Sequence, residues 1–247
     1  MKAIILAAGR GSRLKFHTQD SPKCLVKLAG LPLLEWQLKA IAEAGIKDIA
    51  VVCGYQAEKI KALAKSFVAI ENSRWEQTNM LSSLLCAAEW AGREECIISY
   101  SDIVYSAAHL QALMKNEQCI SITYDKQWEK LWKLRLGEDF LLDAETFREE
   151  NGILKEIGNK PQNVSQVNGQ YMGLIKLTPK GWEAWLEHCH YLGDTVDKKD
   201  MTGFLRQLVD KGVSIGTVPV NGGWCEVDSD KDLELYEANL SIISIEH

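Results

Sequence analysis

The segment Ala8-Gly9-Arg10-Gly11-Ser12-Arg13-Leu14 follows directly on the apolar run Lys2-Ala3-Ile4-Ile5-Leu6-Ala7, and Pro22-Lys23 comes shortly after it. Gly9 and Gly11 lack the Cβ atoms that would hold backbone N–H groups away from a bound anion. Arg10, Arg13 and Lys23 can neutralise several phosphate oxygens, the arginines bidentately. A nucleoside triphosphate fits such a turn, with Leu6, Ala7, Ala8, Gly9, Arg10, Gly11 and Lys23 as candidate contacts. The pattern is neither G-x-x-x-x-G-K-[ST] nor G-x-G-x-x-G, and a bare G-x-G also occurs as a plain tight turn.

Asp102 stands immediately after a second apolar run, Glu95 to Tyr100. If both runs are parallel strands, Asp102 faces the same carboxyl edge as the Gly9 turn, where open α/β sheets bind their ligands. Mg²⁺ needs only one or two carboxylates beside phosphate oxygens. An isolated Ser-Asp also serves as a helix cap. Far downstream, Trp224-Cys225-Glu226-Val227-Asp228-Ser229-Asp230-Lys231-Asp232-Leu233 leads into a predicted helix. Asp230 is its expected N-cap and Asp232 lies in its first turn, which leaves Asp228 free to face the site. Thr78, Asn79, Ser82 and Ser83 crowd another predicted helix start, where they could read a pyrimidine edge or merely cap the helix. His109, His188 and His190 fall in helical segments, are expected at the surface and offer no catalytic triad.

The string L-A-A-G-x-G-x-R-L followed by S-P-K, here Leu6 to Leu14 and Ser21-Pro22-Lys23, resembles the signature of the nucleotidyltransferases that make nucleotide-activated sugars and alcohols, in the nucleotide-diphospho-sugar transferase superfamily. In that family the loop wraps base and triphosphate, and the lysine after proline reaches the phosphates. Its W-x-E-[VI]-D-x-x-x-D-L stretch supplies a second metal-binding aspartate. Carried over, this implies Mg²⁺ held by Asp102 and Asp228, Glu226 supporting the ligands from behind, and Arg10 and Arg13 on the leaving pyrophosphate. The N-x-x-x-x-x-T-N-x-x-x-S-L form of residues 72–84 is similar to the CTP-dependent cytidylyltransferases, which implies cytosine recognition by Thr78, Asn79 and Ser83. The segments carrying Trp128, Trp132, Arg135, Gln170, Tyr171 and Asp200 are similar to a bacterial branch that activates phosphocholine, phosphonates or the amide of L-glutamine for cell-surface polysaccharide or phosphonate synthesis. On that resemblance Arg135, Gln170, Tyr171 and Asp200 are candidate acceptor contacts, although Trp128 and Trp132, four apart, also fit one core-facing side of a helix. The implied reaction passes CMP from CTP to a small acceptor and releases pyrophosphate. The alternatives are a sugar-phosphate uridylyl- or thymidylyltransferase and a glycosyltransferase that consumes nucleotide sugars. The second lacks its usual D-x-D at Ser101-Asp102-Ile103. A non-catalytic nucleotide sensor would leave two metal carboxylates without a task.

The elements that must position these groups alternate as a doubly wound sheet requires. Strands are predicted at 2–7, 48–53, 67–70, 95–100, 120–124, 171–177 and 214–220. Helices are predicted at 33–44, 57–65, 81–91, 179–189 and 201–211, with a last one from Asp230. The expected fold is a single Rossmann-like α/β domain over residues 1–247, mainly parallel, with helices on both faces. Residues 125–170, where periodicity weakens, form a small antiparallel or lid-like excursion on the acceptor side. The formal net charge of −6 argues against a general nucleic-acid binder. No apolar run approaches the ~20 residues of a membrane span, nor does the start read as a signal peptide. Seven cysteines without a C-x-x-C pair fit reduced thiols in the cytoplasm, with Cys53, Cys86, Cys96 and Cys119 as core filler. A homodimer is compatible with such a chain.

Overall fold

A computed structural model describes residues 1–92 and 94–243, the side chains of Lys15 and Phe16 excepted. In chain order the strands are β1 (Lys2–Ala7), β2 (Lys27–Leu28), β3 (Leu31–Pro32), β4 (Asp48–Cys53), β5 (Val68–Glu71), β6 (Cys96–Tyr100), β7 (Ile103–Val104), β8 (Ile120–Asp125), β9 (Phe147–Glu150), β10 (Ile153–Ile157), β11 (Gln170–Leu177), β12 (Ile215–Val220) and β13 (Cys225–Glu226). The α-helices are α1 (Leu33–Glu43), α2 (Ala57–Lys61), α3 (Met80–Cys86), α4 (Ala88–Ala91), α5 (Ala107–Met114), α6 (Trp128–Leu136), α7 (Phe140–Asp143), α8 (Pro179–Leu192), α9 (Met201–Asp210) and α10 (Asp230–Ala238). Nine strands form one sheet in the order β5-β4-β1-β6-β11-β8-β12-β10-β9. The architecture is a single α/β domain with a mixed, mostly parallel sheet.

Strands β5, β4, β1 and β6 run parallel. The middles of β4, β1 and β6 are continuous apolar runs buried on both faces, and Ile4, Ile5, Val51, Val52 and Ile98 are fully buried, whereas the edge strand β5 is half-exposed. Burying each such side chain stabilises the fold by roughly 1.5–3 kcal/mol. Since β1 and β6 share direction, Ala8 and Ser101 emerge at the same edge.

Several expectations need correction. β11 runs antiparallel to both its neighbours, β6 and β8; an apolar run buried on both faces carries no mark of direction. Residues 125–170 do hold an antiparallel excursion, but it is continuous with the main sheet and not lid-like: α6 and α7 are followed by the β9–β10 hairpin, which pairs antiparallel with β12 at Ile153 and Gly216. The helix expected over 81–91 breaks at Ala87, whose N–H turns back to Leu84 O at 3.0 Å. Ser229, not Asp230, caps α10, in a reciprocal capping box with Asp232. His109 and His188 are buried: His109 bonds Ser106 and the carbonyl of Gly222 at 3.0 Å, and His188 packs on Phe204. Cys53 and Cys96 do fill the core, but Cys86 is exposed and Cys119 half-buried. Trp128 and Trp132 pack inward.

Candidate active site

Two short connections bring distant acids together. After β6 the chain turns through Ser101-Asp102 into β7, and β13 pairs antiparallel with β7, setting Glu226 against Ile103. The N–H of Val227 donates to Asp102 O at 2.9 Å. Gln37 of α1, fully buried, clamps this turn. Its amide donates to the carbonyls of Tyr100 and Ile103 at 2.9 and 2.8 Å, and its oxygen accepts from Ser99 Oγ at 3.1 Å. One oxygen from each of Asp102, Glu226 and Asp228 lies within 4.8 Å of the others.

Lys23 enters this group from the loop after β1. Its Nζ lies 2.7 Å from Asp102 Oδ2 and 2.5 Å from Asp228 Oδ1. Burial opposes its charge, but the two aspartates outweigh burial and hold the ammonium above its ordinary range. Arg13 adds a bond from Nη1 to Asp228 Oδ2 at 3.1 Å. Burial opposes the charge of Asp228 too, and Lys23 overrides it, so this carboxyl lies below the usual range. Glu226 is different: burial, with repulsion from Asp228 and Asp102, pushes its carboxyl up to about 8. The third acid is thus a member of the cluster itself, not a support behind it. Asp102 Oδ1 is buried with no hydrogen-bond partner among the described residues, and three oxygen donors beside such a carboxylate oxygen fit a hard divalent cation.

The raised Glu226 pKa makes a testable statement about stability. The native carboxyl keeps its proton up to about pH 8, whereas an unfolded glutamate loses it near 4.3. Native protein binds more protons in that window, so this contribution to stability falls as pH rises through it. In metal-free buffer, unaltered protein should lose on the order of 2 kcal/mol relative to Glu226→Gln between pH 5 and 8. His109 and His188, both held below the ordinary histidine range by burial, act in the opposite sense below about pH 6.5 but equally in both proteins. Melting curves with parallel pH dependence would contradict the assignment.

The loop itself is propped from below. The N–H of Tyr55 donates to Ala8 O at 2.9 Å, and the guanidinium of Arg10 lies 5.4 Å from the Tyr55 ring centroid. Leu6, Ala7 and Ala8 are buried, whereas Gly9, Arg10 and Arg13 are exposed. On the neighbouring connection Asn72, buried, is the organising residue, one that motif reading quoted but assigned no task. Its Nδ2 donates to Thr78 Oγ1 at 2.9 Å and to Ser83 Oγ at 3.0 Å. Both hydroxyls are therefore tied into the loop, and Asn79 Oδ1 caps α3 through Met80 N–H at 2.8 Å. Arg74 and Ser82 both bond Asp197, pinning this connection to the segment after α8.

A cleft of about 240 Å³ opens beside the acids. Arg13, Glu226 and Asp228 line it together with Tyr171 and Trp132 and with a further acidic group, Asp143, Glu145 and Asp200. Gln170 lines it as well. Burial, and then the neighbouring Asp200, raises the Glu145 carboxyl; its oxygen accepts from Thr202 Oγ1 at 3.3 Å. Asp200 caps α9 through Gly203 N–H at 2.5 Å. Glu145 falls within residues 125–170, expected on the acceptor side, and the resemblance assigns it no role of its own. Arg135 is a correction: it is not among the cleft-lining residues, and its guanidinium is turned inward onto Asp232 and Glu226, because a buried cation must keep its carboxylate partners.

Residues 3–189 match the MobA-like NTP transferase domain family. The chain belongs to this family. Over 95% of its length this NTP transferase is 36% identical to the CTP:phosphoglutamine cytidylyltransferase of Campylobacter jejuni, covering 98% of that protein. It is 32% identical to the 2-aminoethylphosphonate cytidylyltransferase of Lancefieldella rimae over 47% of its own length and 49% of that protein's. The fold of the transferase is that of the inositol-1-phosphate CTP transferase of T. maritima, with a TM-score of 0.73, 21% identity and coverage of 98% and 96% of the two chains. Among the described residues no helix is long and apolar enough to cross a membrane.

Proposed function

We propose that this NTP transferase is a cytidylyltransferase that passes CMP from CTP to the phosphate or phosphonate of a small acceptor bearing an amino group, phosphoglutamine first among them. The observation that carries the reading is Lys23 held between Asp102 and Asp228 at the carboxyl edge shared by β1 and β6. An acceptor oxygen attacks the α-phosphorus of CTP, the new O–P bond forms, and the bond to the β-phosphate oxygen breaks as pyrophosphate leaves. Such transfers need positioning and charge neutralisation more than covalent help. Lys23 neutralises the charge that develops on the α-phosphate, and Arg10 and Arg13 hold the departing pyrophosphate. Asp102 and Asp228, with Glu226, would hold Mg²⁺, which supplies further positive charge to the α-phosphate. The Gly9 turn receives the triphosphate, and Asn79 presents its amide to the cytosine edge from a loop that Asn72, Thr78 and Ser83 keep rigid.

Residues 125–170 contribute the acceptor side, together with Gln170, Tyr171 and Asp200. Asp143, Glu145 and Asp200 suit an ammonium group, and the similarity to the phosphoglutamine enzyme over nearly the whole chain supports an amino-acid acceptor. Seven free thiols support a reducing compartment such as the cytoplasm.

Pyrophosphate release should be measured with each of CTP, UTP, ATP and GTP plus Mg²⁺, against phosphoglutamine, phosphocholine, 2-aminoethylphosphonate, L-glutamine and a sugar 1-phosphate. CTP with an amino-bearing phosphate or phosphonate is the expected pair; preference for UTP and the sugar phosphate would overturn the assignment. Glu145→Gln should raise KM for an amino-bearing acceptor about 10-fold, the order expected when a polar group loses its buried partner, and leave KM for CTP unchanged. Equal changes in both constants would remove Glu145 from the acceptor site.

A further inference from the structure

Arg135 leaves α6 with its side chain only 3% exposed. Its Nε donates to Asp232 Oδ1 at 2.8 Å and its Nη2 to Asp232 Oδ2 at 3.3 Å, while Nη1 donates to Glu226 Oε2 at 3.3 Å. Asp232 Oδ2 in turn accepts the backbone N–H groups of Asp228 and Ser229, at 3.0 and 2.9 Å, and the Ser229 hydroxyl at 3.0 Å. The turn from which the Asp228 carboxylate projects is thereby tied to one side chain, and that side chain to one guanidinium. The guanidinium also lies 5.0 Å from the centroid of Trp132, a wall of the cleft.

We propose that Arg135 is a positioning residue for the carboxylate centre. Directly it holds Glu226, and through Asp232 it holds the backbone of Asp228, so that acids from β13 and the turn before α10 converge with Asp102 on one cation. A capping role for Asp232 explains its bonds to Ser229 but not a buried arginine shared with Glu226. A planar fork with several fixed donors can serve two carboxylates at once; a lysine ammonium on a flexible stem cannot hold both in register. This inference rests on the proposed function only in requiring that the centre bind a divalent cation.

The test uses the full-length protein and its variants Arg135→Lys and Asp232→Asn. Mn²⁺ binding is followed by electron paramagnetic resonance of the free ion, with and without CTP, beside steady-state constants and melting temperature. The expected result is Mn²⁺ binding weakened about 10- to 100-fold, as when groups that orient metal ligands are removed. kcat should fall in parallel and partly recover at high Mn²⁺, with the acceptor KM unchanged. A raised acceptor KM with unaltered Mn²⁺ affinity would make Arg135 an acceptor contact and overturn the proposal. A lowered melting temperature with unaltered Mn²⁺ affinity would reduce it to packing and overturn it too. Should Arg135→Lys not fold, Asp232→Asn, which conserves volume, carries the same readout. Because Mn²⁺ binding needs no turnover, Arg135-dependent binding in a protein that prefers UTP would keep this inference while removing the cytidylyl assignment.

Discussion

Lys23→Met is expected to lower turnover by more than about 100-fold, the scale of removing one preorganised charge from a transition state. In metal-free buffer it should also destabilise the protein by about 3–5 kcal/mol, because one partner of a buried ion cluster is lost. The Lys23, Asp102 and Asp228 side chains are only 10, 21 and 11% exposed. Without the ammonium, Asp102, Glu226 and Asp228 face one another, and they must either repel or take up protons. Mg²⁺ should therefore restore much of the stability of Lys23→Met but little of its turnover, since the ion replaces charge between the acids and not the group that reaches the phosphate. Asp228→Asn separates the two effects from the other side. Its turnover should fall by a comparable factor, yet its metal-free stability should suffer less, because losing one negative charge relieves Glu226. Calorimetry and pyrophosphate release on the two variants, each with and without Mg²⁺, give four values of stability and four of turnover to compare. Near-normal turnover of Lys23→Met at saturating Mg²⁺ would remove Lys23 from the chemistry.

What the sequence revealed of this centre and what it concealed divide along a physical line. Asp102 was legible because a carboxylate directly after a buried apolar run can only emerge at the strand's carboxyl end. The turn at Gly9 to Leu14 was legible for the same reason, and the parallel pairing of β1 and β6 then sets their edges together. The downstream acids needed a resemblance as well, since pairing of β13 with β7 joins positions far apart in the chain and leaves no local pattern. Arg135 enters as a candidate acceptor contact through the resemblance alone, on a helix that also carries Glu129, Lys130 and Lys133, and an anionic partner is expected for it. Nothing in its own segment says that the anion is Asp232 of α10. Gln37 escaped notice for a related reason: a glutamine among apolar neighbours on α1 gives no sign that it holds the carbonyls of Tyr100 and Ile103. The direction of β11 and the burial of His109 are likewise settled by partners that periodicity does not record.

Gly11→Ala is the second large effect expected, and its origin differs from the one that a phosphate-binding turn brings to mind. Gly11 has φ of +70°, and a Cβ there would stand 2.7, 2.8 and 2.9 Å from Cβ, Cδ and Cγ of Lys23. The left-handed backbone alone costs an L-residue roughly 1–2 kcal/mol. The clash adds more, because it falls on the stem of the lysine next to its backbone and not on a flexible tip. Relief requires the stem to move, which carries Nζ away from Asp102 and Asp228. The backbone resists the opposite movement, since Gly11 O accepts from Leu14 N–H at 3.1 Å and from Thr18 Oγ1 at 3.0 Å. A displacement of about 1 Å at a positioned group can cost about 100-fold in rate, so turnover of Gly11→Ala should fall by that order while most of the fold survives. Gly9→Ala is the control. A Cβ at Gly9 meets nothing within 4 Å among the described residues, so its stability should stay unchanged, and any effect should appear as a raised KM for CTP where the triphosphate lies against the turn. If both variants lose kcat equally, with KM for CTP unaltered, the general pliancy of the loop governs the rate, and the packing of Gly11 against the Lys23 stem does not.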